Sequence, residues 1–145
     1  MEKIAVKKLR ENAVILTYGS AEAAGADLYA CLESAVTIGP GETCFLPTGI
    51  AMELPQGFAG LIHARSSLGT KRGLAPANKV GVIDSDYRGE ITVALHNHGK
   101  EAQVINPGER IAQLLIVPVF APGFTEAAEL SETRRGSGGF GSTGR

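Results

Sequence analysis

Cysteine is scarce in this chain. Cys31 and Cys44 are its two cysteines, too few and too plainly spaced for a disulfide framework or a zinc site. Both read as reduced core thiols of a cytosolic protein. A surplus of either charge is also missing: 14 Lys and Arg against 15 Asp and Glu leave a formal net charge of -1. That balance gives no electrostatic reason to expect duplex nucleic acid or an anionic membrane as partner. A polyanionic small ligand stays open wherever basic residues converge locally. Long apolar runs are absent from the N-terminus, where residues 1–9 alternate charged and apolar side chains. Neither a signal peptide nor a membrane span is expected there, so the protein is read as soluble and cytoplasmic. Helix signals are few, and residues 125–130 promise a short surface turn at most.

Glycine and proline, by contrast, are plentiful, at 19 and 7 in 145 residues. They fall between short apolar runs and punctuate the chain at short intervals, the rhythm of an all-β sandwich or barrel. The length suits one domain with a real core, and 43% hydrophobic with 20% charged residues is ordinary globular composition. Strands are expected over residues 3–9, 25–31, 36–38, 43–46, 50–54 and 60–64, with turns at Gly39-Pro40-Gly41 and Pro55-Gln56-Gly57. Residues 111–119 form the longest apolar run and read as a strand buried on both faces.

The stretch from Asn78 to Leu95 organises the rest. It opens on polar, turn-prone residues, passes Asp84, Asp86 and Tyr87, and closes in the alternation Ile91, Val93, Leu95 of a half-buried strand. Aspartates in such a place are either turn residues bonding nearby amides or carboxylates poised to hold a water or a metal. Spacing alone puts Asp84 and Asp86 on one strand face and does not choose between them.

Composition changes at the end, from Arg134 to Arg145. The domain is expected over residues 1–133 and a flexible Gly/Ser arm over 134–145. The arm nevertheless carries Arg135, Phe140, Ser142 and Thr143 among its glycines, a set able to grip phosphate and stack on a base.

Five stretches together carry a resemblance: Ala24-Gly25-Ala26-Asp27-Leu28, Arg65-Ser66-Ser67-Leu68-Gly69, Asn78 through Gly89, Pro107 through Leu114, and Arg135 through Gly144. In this order and spacing they resemble the five motifs of the trimeric dUTPases, over nearly the whole chain. The resemblance implies a jelly-roll-like β barrel assembled as a homotrimer, with active sites shared between subunits. It implies hydrolysis of dUTP to dUMP and pyrophosphate with Mg2+ on the triphosphate, limiting uracil in DNA and supplying dUMP for thymidylate synthesis. By this pattern Asp84 activates the attacking water, and Asp86 is structural. Tyr87 packs against deoxyribose and leaves no room for a 2′-hydroxyl, while Asn78 with the backbone of Gly81 and Ile83 reads the uracil edge. Ser66, Ser67 and neighbouring amides attend the phosphates with Gln113, Arg65 organises the site across a subunit boundary, and Asp27 contacts magnesium through water. Arg135 reaches the γ-phosphate, Phe140 stacks on uracil, and Gly141, Ser142 and Thr143 close on the terminal phosphates. Arg110 is read as an interface or structural arginine, Arg134 and Arg145 as surface charge.

Two alternatives are weighed against this. The dCTP deaminases share the fold and the Arg65-Ser66-Ser67 motif, but Ala94 stands where their catalytic glutamate would fall. A silent dUTPase-fold binding trimer would be expected to lack part of the catalytic set, and every required position is filled.

Overall fold

The computed structural model describes residues 3–140. Among them are twelve strands: β1 (Ala5–Lys8), β2 (Thr17–Tyr18), β3 (Ala26–Tyr29), β4 (Val36–Ile38), β5 (Thr43–Pro47), β6 (Ile50–Glu53), β7 (Phe58–His63), β8 (Leu74–Pro76), β9 (Gly81–Ile83), β10 (Thr92–Asn97), β11 (Gln103–Ile105) and β12 (Arg110–Pro118). One short helix, α1 (Ser66–Lys71), lies between β7 and β8. No helix among the described residues is long and apolar enough to cross a membrane.

Every pairing is antiparallel. The largest sheet runs β2-β3-β12-β7-β9, a second runs β5-β10-β8, and β1-β6 and β4-β11 form two-stranded ribbons. The all-β expectation holds, but a closed barrel does not form within the described residues: four separate sheets surround the core. Pro47, Pro76 and Pro118 each end a strand, and a residue without an N–H cannot extend a ladder sideways.

The core draws on all four sheets through Leu28, Ile38, Leu46, Ile50, Leu95, Ile105 and Ile111, each at or below 1% exposure. Each such aliphatic side chain contributes about 2 kcal/mol by leaving water. In β10 the expected alternation is present, with Val93 and Leu95 buried and Thr92 exposed. The double burial expected of β12 holds only at Ile111 and Ala112. Beyond Leu114 the strand is half-buried, because Leu114 and Ile116 border an open apolar groove beside β1, β2 and β6. The two thiols differ as well, Cys31 being buried and Cys44 only partly so. Phe45, its neighbour on β5, faces outward.

Candidate active site

The phosphate-binding candidates meet where β3, β12 and the end of β7 lie side by side. Gln113 of β12 stands opposite Asp27 of β3 on one flank and His63 of β7 on the other, so the register brings two sequence-distant motifs together. Asp27 is 7% exposed. Its Oδ1 accepts from Arg65 Nε at 2.7 Å and its Oδ2 from Arg110 Nη1 at 3.3 Å. A buried carboxylate needs such partners to remain charged. The side chain of Gln113 donates to the Ala64 carbonyl at 2.8 Å, and Gly25 makes room for it: a Cβ there would come within 2.5 Å of Gln113 Oε1.

These residues line a cavity of about 380 Å³ together with Ser66 and Ser67. Both serines are exposed and open α1 directly after Arg65, where backbone N–H groups lack helical partners. Arg65 spends Nε on Asp27, and among the described residues neither Nη has a partner. The arrangement therefore offers guanidinium, hydroxyl and amide donors to an anion, the chemistry that suits phosphate.

Asp27→Ala leaves two guanidiniums without their carboxylate. Removing one partner of a fully buried pair costs roughly 3–5 kcal/mol; because Arg65 and Arg110 are 21% and 50% exposed, solvent screening reduces the expected loss to about 2 kcal/mol. Urea unfolding of the variant measures it, and an unchanged midpoint would mean that the pairs hold no structure.

The nucleoside-binding candidates lie on the edge strand β9 and the turns that flank it. β9 pairs with β7 through Ile62↔Gly81 and Gly60↔Ile83, and among the described residues its other edge has no strand partner. Lys79, at φ 68°, turns the chain into β9, and the Val80 amide donates to the Asn78 carbonyl at 2.8 Å. Gly81 is buried against Ile62, with the Asn78 amide over its Cα, so that a Cβ would sit 3.2 Å from Ile62 Cβ and 3.5 Å from Asn78 Nδ2. The next turn follows at once: the Tyr87 amide donates to the Asp84 carbonyl at 3.1 Å. The Tyr87 hydroxyl donates to the Glu90 carbonyl at 2.9 Å, and its ring lies over Gly89, where any Cβ would strike it. Ile83, Asp84, Tyr87 and Glu90 line a cavity of about 210 Å³.

Asp84 is exposed just past the end of β9, while Asp86 lies in the turn. The expectation that both share one strand face is therefore corrected, since the strand stops at Ile83 and its period does not reach Asp86. Both carboxylates border a larger groove of about 1070 Å³ with Arg88 and Phe58. Near the turn into β9, His98 is held below the usual histidine range, by desolvation first and then by the charges of Lys79 and His96.

The cavity beside Arg65 and the cavity beside Tyr87 share no lining residue, and a further cavity borders Gly25 and Gln113 on one side and Lys79, in the turn into β9, on the other. Arg135 is exposed and donates from Nε to the Gly138 carbonyl at 2.8 Å, and Phe140 is fully exposed. Gly141, Ser142 and Thr143 lie outside the described residues. Arg110, expected to be an interface or structural arginine, gains a specific partner, and Glu90 gains a place that the sequence had not given it. Arg110 reaches Asp27 across the β3–β12 ladder, which no spacing along the chain reveals. Glu90 borders the cavity beside Tyr87 while its carboxylate pairs with Arg10, 80 positions away.

The dUTPase family model matches residues 11–144. The deoxyuridine 5'-triphosphate nucleotidohydrolase of Desulfitobacterium hafniense is 51% identical over 143 residues, covering 98% of this chain and 95% of that protein. Among solved structures, the Staphylococcus bacteriophage 80alpha dUTPase with dUPNHPP matches at a TM-score of 0.91 and 28% identity over the full length of both chains. A dUTPase from phage phi11 of S. aureus, whose structure reveals the coordination of a structural Mg(II) ion, agrees in fold at a TM-score of 0.82 and 24% identity, covering 90% of this chain and all of that one.

Proposed function

This chain belongs to the dUTPase family and hydrolyses dUTP, and we propose that it does so with Asp84 as the base for the attacking water, releasing dUMP and pyrophosphate. The observation that carries the assignment of roles is the division of labour between two cavities. One gathers donors around Asp27, Arg65 and Gln113; the other places an exposed carboxylate at the mouth of a small cavity roofed by Tyr87.

In this reading the uracil edge meets Asn78 and the backbone of Gly81 and Ile83. Cytosine presents the reversed donor and acceptor pattern and is rejected because buried polar groups would be left unpaired. Tyr87 lies against the deoxyribose and excludes a 2′-hydroxyl. Asp84 accepts the proton of the water as it attacks phosphorus, and Arg65, Ser66, Ser67 and Gln113 take up the charge that grows on the phosphate oxygens. The arm adds Arg135 on the γ-phosphate, Phe140 on the base, and Gly141, Ser142 and Thr143 on the phosphates.

The donor set suits Mg2+ held mainly by the triphosphate. No cluster of three His, Cys, Asp or Glu exists among the described residues, and Mg2+ on a triphosphate uses few direct protein ligands. Asp27 lines the phosphate cavity and its Oδ2 has only the longer 3.3 Å contact to Arg110, which leaves capacity for a water bound to the ion. When bound, the ion draws charge from the triphosphate oxygens.

Two separate cavities suit a site completed by a second copy, and we place them together across the interfaces of a homotrimer. Two free thiols suit a cytoplasmic location. Pyrophosphate release from dUTP, dCTP, UTP and dTTP, with magnesium and with chelator, tests the whole reading. Release from dUTP alone, suppressed by the chelator, is expected; release from dCTP or UTP at a similar rate removes the β9 edge or Tyr87 from its role. Silence on all four in a folded sample removes the catalytic assignment.

A further inference from the structure

Glu90 lies just outside the stretches that resemble known motifs, yet both of its carboxylate oxygens are held by distant parts of the chain. Its Oε1 accepts from the Gly49 amide at 2.8 Å and its Oε2 from Arg10 Nη2 at 3.0 Å. The next residue is held on the same side. The Ile91 carbonyl accepts from the Thr48 amide at 3.2 Å and from Thr48 Oγ1 at 2.5 Å, and the Ile91 amide donates to the Ile50 carbonyl at 2.9 Å. Thr48 is buried, and Gly49, at φ +69°, is packed so closely on Ala13 and Cys31 that a Cβ would fall 2.7 Å from each. Residues 90 and 91 are therefore hydrogen-bonded to a buried, closely packed turn. On the opposite side, the Glu90 carbonyl is the acceptor for the Tyr87 hydroxyl.

We propose that Glu90 is a positioning residue for sugar discrimination: held by Arg10 and the Gly49 turn, it fixes the carbonyl that pins the Tyr87 ring across the nucleoside cavity. The inference rests on the dUTPase reading of Tyr87. A ring excludes a 2′-hydroxyl by shape only while it cannot yield. Tyr87 is exposed and among the described residues stacks on no aromatic ring; Gly89 supports one face, and the hydroxyl bond to Glu90 is its tether. Positions of this kind are fixed by the residues behind them as much as by the group itself.

The test compares kcat and KM for dUTP and UTP in the wild type, Glu90→Ala, Glu90→Gln, Arg10→Gln and Tyr87→Phe. Glu90→Ala is expected to lower the dUTP/UTP ratio of kcat/KM roughly tenfold, the scale of a small misplacement at a reacting site. Tyr87→Phe, which keeps the ring and cuts the tether, should reproduce that loss. Glu90→Gln, which keeps an acceptor for Gly49, should restore most of the ratio. A folded Glu90→Ala variant with the wild-type ratio overturns the proposal, and so does an equal loss on both substrates, which is the signature of general damage. Should Glu90→Ala not fold, unchanged ratios in both Tyr87→Phe and Arg10→Gln overturn it. A wild type that hydrolyses no dUTP would instead remove the role of Tyr87 itself, and that of Glu90 with it.

Discussion

Asp84→Asn is expected to bind dUTP within a few-fold of the wild type and to lose about 10³-fold in kcat, in line with removal of a positioned general base. The substitution is isosteric and falls on an exposed side chain. What Asp84 gives the fold is its backbone carbonyl, which accepts the Tyr87 amide, and asparagine keeps that. Stability and the turn should therefore be unchanged, so the kinetic loss can be assigned to the carboxylate alone. Asp86→Asn is the internal control. It is also exposed and borders the same groove, and its turnover should stay within about twofold, as for surface changes that remove no buried partner. Single-turnover rates with dUTP, beside equilibrium binding of a non-hydrolysable analogue, separate the two effects. Near-normal turnover in Asp84→Asn together with a large loss in Asp86→Asn would reverse the assignment of the two carboxylates.

That pair also shows how far the sequence could be read. Strand alternation places side chains only while the strand lasts, and β9 ends at Ile83, so the relation between Asp84 and Asp86 depended on a boundary invisible in the spacing. The alternation Ile91, Val93, Leu95 was legible because each apolar side chain points to the same core and is nearly fully buried. The helix Ser66–Lys71 was not, since it buries Leu68 alone and a single turn with one apolar contact has no period. β2 is two residues long and exists because it pairs with β3, a tertiary cause. The same holds within the site. Asp27, Arg65 and Gln113 were recognisable from their motifs, but the link from Arg110 to Asp27 follows from the β3–β12 register and that from Glu90 to Arg10 from the packing of a distant turn. The sheets of the barrel-like fold stay separate from one another, because lateral pairing is decided strand by strand and leaves no trace in apolar spacing.

Removing residues 134–145 should leave the fold intact and lower kcat/KM for dUTP by about 10²-fold, the cost expected when a closing segment no longer orients substrate. The structural half of this expectation follows from what the segment touches. Beyond Pro118 the described residues form no strand or helix, and Phe120, Phe124 and Leu130 are 91%, 97% and 88% exposed. Within 134–140, the Arg135 side chain bonds Gly138, the Gly136 amide bonds Thr133, and the Gly138 amide returns to Arg135. Each of these contacts is local, so among the described residues the deletion removes no strand and no sheet hydrogen bond. The thermal midpoint and the oligomeric state of the truncated chain should match the full chain. The kinetic half rests on composition: a Gly-rich segment with Arg135 and Phe140 has donors and a ring to offer a nucleotide but nothing to hold it in place alone, so ligand contacts must offset its ordering entropy. Arg135→Ala in the full chain should then show part of the truncation's loss, with Phe140→Ala adding to KM for dUTP more than to kcat. An unchanged rate after truncation would reduce the segment to a linker and leave the two cavities of the sheets to carry catalysis without it.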